Sequence, residues 1–476
     1  MSSTLSNIAL TVALALAGTP LQARETPPVP AHGVVGVEEA QLVPDYWIAR
    51  LPHADRVLLD RAAIAAQNAA LFRSDPSMHD LRALPSMLAR ADVARWIEEL
   101  AEMPPEGYYG EDGQRVPQAR LDAILAGRAL EAIAPQRAAR YGLVVRRAAL
   151  RAFPTDLRVF DEPGDRDIDR FQESALFPGM PVVVAHESRD GRWWFVISER
   201  YAAWIEKSAV ALGERDPVLG YDEAKPYRVV TGATARTVYS PEQPALSQLQ
   251  LDMGLRLPLA VGWPENRPVN GQHPYTAHVI ELPLRREDGS LALAPALLPK
   301  TADTRADYLP LSEANLLRQA FKFLGERYGW GHSYDARDCS GFVSDVYHSF
   351  GLELPRNTRD QGVSPALRKR VFTAGDDHAA RQAAARALRV GDLIYIPGHV
   401  MMAIGHRDGE PYVIHDTTGL SYRDGDGRTT RVRLNAVSVS PLLPLLFGGR
   451  GDTYVDRMTS IVRIAPDSHD PAKDSP

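Results

Sequence analysis

The sequence predicts a multidomain protein with a helical N-terminal segment, two small all-β barrels and a C-terminal α+β domain. Three observations carry this expectation. A length of 476 residues exceeds what one core holds, so two to four domains are expected. Apolar residues at helical spacing give way near Tyr141 to short strand-like runs, and helical spacing returns after Leu309. Hydrophobic residues make up 45% and charged residues 24%, ordinary globular usage that excludes a largely disordered chain, a collagen-like fibre and a polytopic membrane protein. Lys and Arg total 54 against 60 Asp and Glu, a net charge of -6, which argues against nucleic acid as a partner.

Residues 8–17 form an apolar run of ten, too short for a spanning helix, which takes about 20. Gly18-Thr19-Pro20 and then Leu21-Gln22-Ala23 follow it, with small residues suited to cleavage after Ala23. Residues 1–23 are therefore expected to be a signal peptide. The protein is then exported, to the periplasm or secreted, and carries no membrane anchor after cleavage. A short buried N-terminal helix is the other reading of the same run.

Residues 24–140 are expected to be a linker and a helical domain. The linker contains TPPVPAHGVVG, and the helical part places Val57, Leu58, Leu59, Ala62, Ile64 and Ala65 before Asn68. Met87, Leu88, Val93, Trp96, Ile97 and Leu100 continue the helical spacing. Over 141–215, the runs Leu143-Val144-Val145, Leu157-Arg158-Val159-Phe160, 181–185, 193–197 and Trp204-Ile205 predict a first barrel. Over 220–298, the runs 227–230, 234–239, 255–261, 276–282 and 291–293 predict a second. Residues 305–466 predict the α+β domain. One amphipathic helix covers 315–328, a second covers 338–350 and ends at Gly351, and strands follow at 393–396, 399–404 and 412–415. Residues 467–476 are polar and expected to be disordered.

Cys339 is the only cysteine, so no internal disulfide and no multi-cysteine metal site can form. It is either a small buried hydrophobe or a reactive thiol. Asp338 and Ser340 are N-cap types, which puts Cys339 in the first turn of a helix, where the dipole favours thiolate. Gly341 is expected to leave space beside it for a substrate backbone. Cys339 also lies four residues before Val343, near the apolar stripe, so position alone does not decide between the two readings. Among thirteen histidines, His399 opens an apolar strand and His415 ends the next one. In an antiparallel hairpin these ends are neighbours, an arrangement that suits a base oriented by a second imidazole. His406 falls at the far end of the hairpin, and His332 and His348 rank lower. No cluster has metal-ligand spacing, and no metal or cofactor is expected.

Tyr328-Gly329-Trp330-Gly331, Asp338-Cys339-Ser340-Gly341-Phe342-Val343, Leu354-Pro355-Arg356-Asn357-Thr358, Gly391-Asp392-Leu393 and Gly398-His399-Val400 resemble the motifs of NlpC/P60 cysteine peptidases, in the family's order. The resemblance implies a papain-like fold with Cys339 as nucleophile, His399 as base and His415 as the third residue. Upstream, the chain is similar to multidomain γ-D-glutamyl-L-diamino acid endopeptidases. Tyr46-Trp47-Ile48-Ala49-Arg50 and Asn68 resemble their N-terminal stabilising clip. Phe171-Gln172-Glu173-Ser174-Ala175-Leu176, Trp194-Phe195-Val196 and Trp204-Ile205 resemble the first of two bacterial SH3 barrels, and Asp252-Met253-Gly254 with Leu257-Pro258-Leu259 the second.

This resemblance implies a monomer acting on peptidoglycan stem peptides or muropeptides, with cleavage between γ-D-glutamate and meso-diaminopimelate. Tyr201 and Glu173 would hold the free amine of an N-terminal L-Ala, while Tyr328, Trp330, Asp338 and Ser340 would line the cleft. Tyr328 is also a candidate oxyanion donor. Asn357 and Thr358 stand where some relatives have an Asp-Ser pair, so an anionic contact to the amine is lost. An N-acetylmuramoyl-L-alanine amidase uses the same chemistry and is the alternative enzyme. A non-catalytic wall-binding SH3 protein is a third reading, against which the presence of Cys339, His399 and His415 argues.

Overall fold

The computed structural model describes residues 36–423, 426–448 and 451–465. The expected signal peptide, the start of the linker and the C-terminal tail lie outside the described residues.

The N-terminal segment is anchored on the C-terminal domain by one large side chain. Trp47, in the helix Pro44–Ile48, is buried in that domain's core, its ring centroid 5.1 Å from that of Tyr412. Gly405 makes room, since a Cβ there would lie 3.1 Å from the indole. The helix Arg61–Ser74 begins at Asp60, whose carboxylate accepts the Ala63 N–H. From it Asn68 reaches across the interface. Its Nδ2–H donates to the Gly351 carbonyl at 2.8 Å, and its Oδ1 accepts the Glu353 N–H at 3.0 Å. Met87 and Leu88 depart from the expected helix. Met87–Ala89 is a short strand paired with Gln136–Ala138, and the helix is Arg90–Leu100. The apolar spacing is satisfied across the junction, because Leu88, Val93 and Ile97 share one core.

The first β domain is a seven-stranded antiparallel sheet in the order Gln172–Leu176, Ala148–Arg151, Ala202–Glu206, Trp193–Ile197, Pro181–Glu187, Arg140–Val144, Val210–Gly213. Alternation along the strands separates two cores. Phe195, Ile197 and Trp204 pack on the helix Arg90–Leu100, while Trp194, Val196 and Ile205 face the other side. The run Leu157-Arg158-Val159-Phe160 is not a strand of this sheet. Only Phe160 bridges, to Tyr109, and Asp169 holds the loop by accepting the Val159 N–H.

The second group of strands does not close into one ladder. It comprises three small sheets: Tyr227–Val230 with Arg256–Pro258 and Thr304–Arg305, Thr234–Arg236 with Gln250–Asp252, and Ala277–Arg285 with Leu291–Pro299. Pro264, Pro268 and Pro274 punctuate the connection from Arg256–Pro258 to Ala277–Arg285, and proline cannot donate to a ladder. The sheets share a core of Val230, Leu251, Leu257, Ile280, Leu282 and Leu298.

In the C-terminal domain the sheet runs Lys369–Val371, Ser460–Val462, Leu393–Ile396, His399–Arg407, Glu410–Arg423, Leu445–Phe447, Asp452–Thr453, with Thr429–Pro441 also paired to Glu410–Arg423. Phe342, Val343 and Val346 of the helix Cys339–His348 pack on Tyr395, Val400, Met402 and Ile414, one face of that sheet. The expected helix over 315–328 stops earlier, as Glu313–Phe321. Gly325 turns the chain with a φ of 84°, and Tyr328 lies extended, its N–H donating to the Asn435 carbonyl.

Asp252 ties the three β and α+β units together. Its carboxylate accepts from Arg147 of the first β domain and from Arg337 of the C-terminal domain.

Candidate active site

Asp338 caps the helix Cys339–His348, its Oδ1 accepting the Gly341 N–H at 2.8 Å. Cys339 is thereby the first helical residue, 5% exposed. The helix start was expected to lower the thiol pKa, but burial outweighs it. Burial, with the Asp338 carboxylate alongside, pushes the thiol up to about 12, against a hydrogen bond from the Val400 N–H. The space expected beside Gly341 is also filled. A Cβ there would lie 2.1 Å from His332 Nε2, so glycine admits an imidazole rather than a substrate.

His399 and His415 meet as the hairpin predicts. His399 Nε2 lies 2.7 Å from His415 Nδ1, and His415 Nε2 lies 3.0 Å from Ser440 Oγ. His415 is fully buried, whereas His399 keeps part of its surface in solvent. Because Nε2 of His399 is engaged, Nδ1 is the ring nitrogen able to exchange a proton with the cleft. Burial lowers the His399 pKa to about 4 and holds that of His415 well below its usual range. Near neutral pH burial thus keeps the Cys339 thiol and the His399 imidazole both uncharged. Ser440 had no signal in the sequence, because only the register of Thr429–Pro441 brings it under His415. His406 sits near the hairpin turn, and His348 is engaged with Glu353 at 3.2 Å.

Asp338 and Ser340 do not line an open cleft. Both are buried and held by Arg356. Its Nη2 and Nη1 donate to Asp338 Oδ2 and Oδ1 at 2.8 and 3.2 Å, Nη1 also to Ser340 Oγ at 2.8 Å, and Nε to Ser174 Oγ at 2.6 Å. One arginine therefore fixes the cysteine's cap and joins it to the first β domain. Nothing in the Leu354-Pro355-Arg356-Asn357-Thr358 motif signals this role, because Ser174 lies 182 positions away in the chain. Trp330 works the same way, its Nε1–H donating to the Gln172 carbonyl at 3.0 Å.

Tyr328 is buried, and its hydroxyl is pushed well above the usual phenol range by burial, Cys339, Asp338 and Asp416. Glu173, Tyr201 and Asn357 converge across the domain boundary. The Tyr201 hydroxyl donates to Glu173 Oε2 at 2.5 Å, and Asn357 hydrogen-bonds to the same hydroxyl. Burial raises the Glu173 carboxyl pKa. Asn357 also donates to Asp360 Oδ2 at 3.1 Å, while Thr358 opens the short helix Thr358–Val363. Among the described residues no group of three or more His, Cys, Asp or Glu could hold a metal ion. No helix among them is long and apolar enough to cross a membrane.

Residues 325–438 match the model of the NlpC/P60 family, and residues 158–206 match that of an SH3 domain of the SH3b1 type. No curated protein matches the chain. Among solved structures, the fold is similar to that of an NlpC/P60 endopeptidase from Photobacterium damselae subsp. piscicida, with a TM-score of 0.68 at 15% identity over 88% of this chain and 97% of that one. An NlpC/P60 family protein from Bacillus cereus ATCC 10987 aligns at a TM-score of 0.46 and 20% identity, over 68% of this chain and 100% of that one.

Proposed function

From the premise that the chain carries an NlpC/P60 domain, and is a cysteine peptidase of that peptidoglycan-hydrolase family, we propose that it cleaves the γ-D-glutamyl–meso-diaminopimelate bond of stem peptides bearing a free N-terminal L-Ala. Cys339 Sγ attacks the γ-carbonyl carbon while His399 Nδ1 takes the thiol proton. His399 then gives that proton to the diaminopimelate amine as the C–N bond breaks, leaving a thioester on Cys339. Water, deprotonated by His399, attacks the thioester, and the C–S bond breaks to restore the thiol. The orphan N–H of Cys339 at the helix start and the Tyr328 hydroxyl receive the oxyanion.

The observation that carries this reading is the hydrogen-bonded series His399, His415, Ser440 across three adjacent strands, the first of which packs its Val400 on the Cys339 helix. The Tyr201–Glu173–Asn357 cluster favours an endopeptidase with a bounded substrate end over the amidase, since it supplies acceptors for an amine beside the Cys339 cap. Substrate reaches such an enzyme in the envelope, which agrees with export to the periplasm or outside the cell.

The test is amine release from L-Ala-γ-D-Glu-meso-diaminopimelate, with Cys339→Ala as control. Cleavage that vanishes in the control, with intact sacculi left untouched, is the expected result. Release from intact sacculi of stem peptides with a new N-terminal L-Ala amine would establish the amidase instead. No new amine, together with a Cys339 that resists iodoacetamide, would remove the enzymatic reading altogether.

A further inference from the structure

Asp416 is fully buried, and neither of its carboxyl oxygens has a hydrogen-bond partner. It follows His415 on the strand Glu410–Arg423, so alternation turns it from the histidine face toward the face that carries Ile414, Val437 and the Cys339 helix. An isolated buried carboxylate is costly, and such groups are normally paired or neutral. The neighbouring buried carboxylates are paired: Asp338 with Arg356, Asp345 with Arg337, Asp392 with Arg463. Among the described residues Asp416 has no such cation. Arg337 is the one facing it, and its guanidinium is committed to Asp345, Glu326, Asp252 and the Ala233 carbonyl.

The groups around Asp416 come from every element packed there. Asp416 pairs across the ladder with Val437, whose N–H donates to the carbonyl of Glu326 in the turn after the helix Glu313–Phe321; Arg337 reaches Glu326 from the loop before the cap, and Asp338 at the cap acts on Asp416 through its charge. Burial pushes its carboxyl well above the ordinary range, with Asp338 and Glu326 adding to the shift and Arg337 opposing it. The coupling reaches the site, because an Asp416 carboxylate disfavours both the Cys339 thiolate and an anionic Tyr328.

We infer that Asp416 is a positioning residue that sets the alkaline limit of Cys339 reactivity: as a neutral carboxyl it leaves the thiol free to lose its proton, and on ionising it places a negative charge against the thiolate and the oxyanion. Thiolate and ionised Asp416 are then mutually opposed, and raising pH gains less nucleophile than a lone thiol would provide. The inference rests on Cys339 being the nucleophile, not on which bond is cut.

The experiment measures the rate of Cys339 alkylation by iodoacetamide against pH in the full chain and in Asp416→Asn, which keeps the side chain's shape. Equal rates are expected at acid pH, where both side chains are neutral. At about pH 9 the variant is expected to react about tenfold faster, the scale of one nearby charge in a protein interior. In the natural chain alone, the logarithm of the rate should rise with pH more shallowly than a single independent thiol. Identical profiles, or a variant slower at every pH, would overturn the proposal. If Asp416→Asn does not fold, a natural-chain profile with the full single-thiol slope overturns it equally. Failure of the substrate assay with the alkylation difference intact would instead count against the proposed bond specificity.

Discussion

His399 Nε2 and His415 Nδ1 lie 2.7 Å apart, from two strands of one hairpin, and the far nitrogen of His415 rests 3.0 Å from Ser440 Oγ. The contact fixes which nitrogen of His399 is left for chemistry and holds the ring without a carboxylate. His415→Ala should therefore lower kcat by about a hundredfold with KM little changed, the range for losing orientation of a general base. Ser440→Ala should cost less than His415→Ala. Steady-state kinetics on the tripeptide decide this, and an unchanged kcat would assign His415 to packing.

Buried histidines make stability depend on pH in a definite direction. In the unfolded chain a histidine takes up a proton near 6.5, whereas folded His399 does so only at about 4. Between those values the unfolded state binds more protons, so stability rises with pH there and is lost as pH falls. His332 and His415, whose pKa values are also lowered by burial, add to the same slope. Urea midpoints should drop from pH 6.5 to 4, and His415→Gln should flatten the decline.

Arg356 connects the cysteine's cap to the neighbouring domain. Arg356→Ala leaves Asp338 and Ser340 buried without their donor, and removing one partner of a buried ion pair costs about 3–5 kcal/mol. Arg356→Lys should recover only part of this, since one ammonium cannot reproduce the fork that serves both carboxylate oxygens. Denaturant unfolding measures both variants.

Tyr201→Phe removes the hydroxyl shared by Glu173 and Asn357. KM for the free-amine tripeptide should rise about tenfold, with kcat and Cys339 alkylation unchanged. An equal loss with an N-acetylated peptide would show that the cluster does not read the amine.

Asn68→Ala breaks two hydrogen bonds to the backbone at Gly351 and Glu353, just before Pro355 and Arg356. The expected loss is about 1–3 kcal/mol, as for orphaned backbone groups. A thermal melt unchanged from the natural chain would show the clip contact to be dispensable.

Much of the candidate site was readable because its pieces are local. An N-cap type beside Cys339, Gly351 after the helix and two histidines flanking a short turn are patterns within about twenty residues of chain. Residues that act through space were not readable. Arg356 reaches Ser174, 182 positions away, and Ser440 reaches His415 only through strand register. Met87 and Leu88 satisfied helical spacing yet formed a strand, since Gln136–Ala138 offered a ladder that the local pattern does not reveal.

The sequence by itself determined the order of helical segment, strand groups and α+β domain, the lone thiol at a helix start, and the pairing of His399 with His415. Periodicity, capping and hairpin connectivity are short-range properties, so a linear reading recovers them. Tertiary structure alone decided the electrostatics. Burial raised the thiol that the helix start was expected to lower, His332 filled the space left by Gly341, and Asp416 came to lie on the sheet face under the Cys339 helix with neither carboxyl oxygen hydrogen-bonded. Desolvation and buried charge depend on everything packed around a group, and those neighbours come from several parts of the chain.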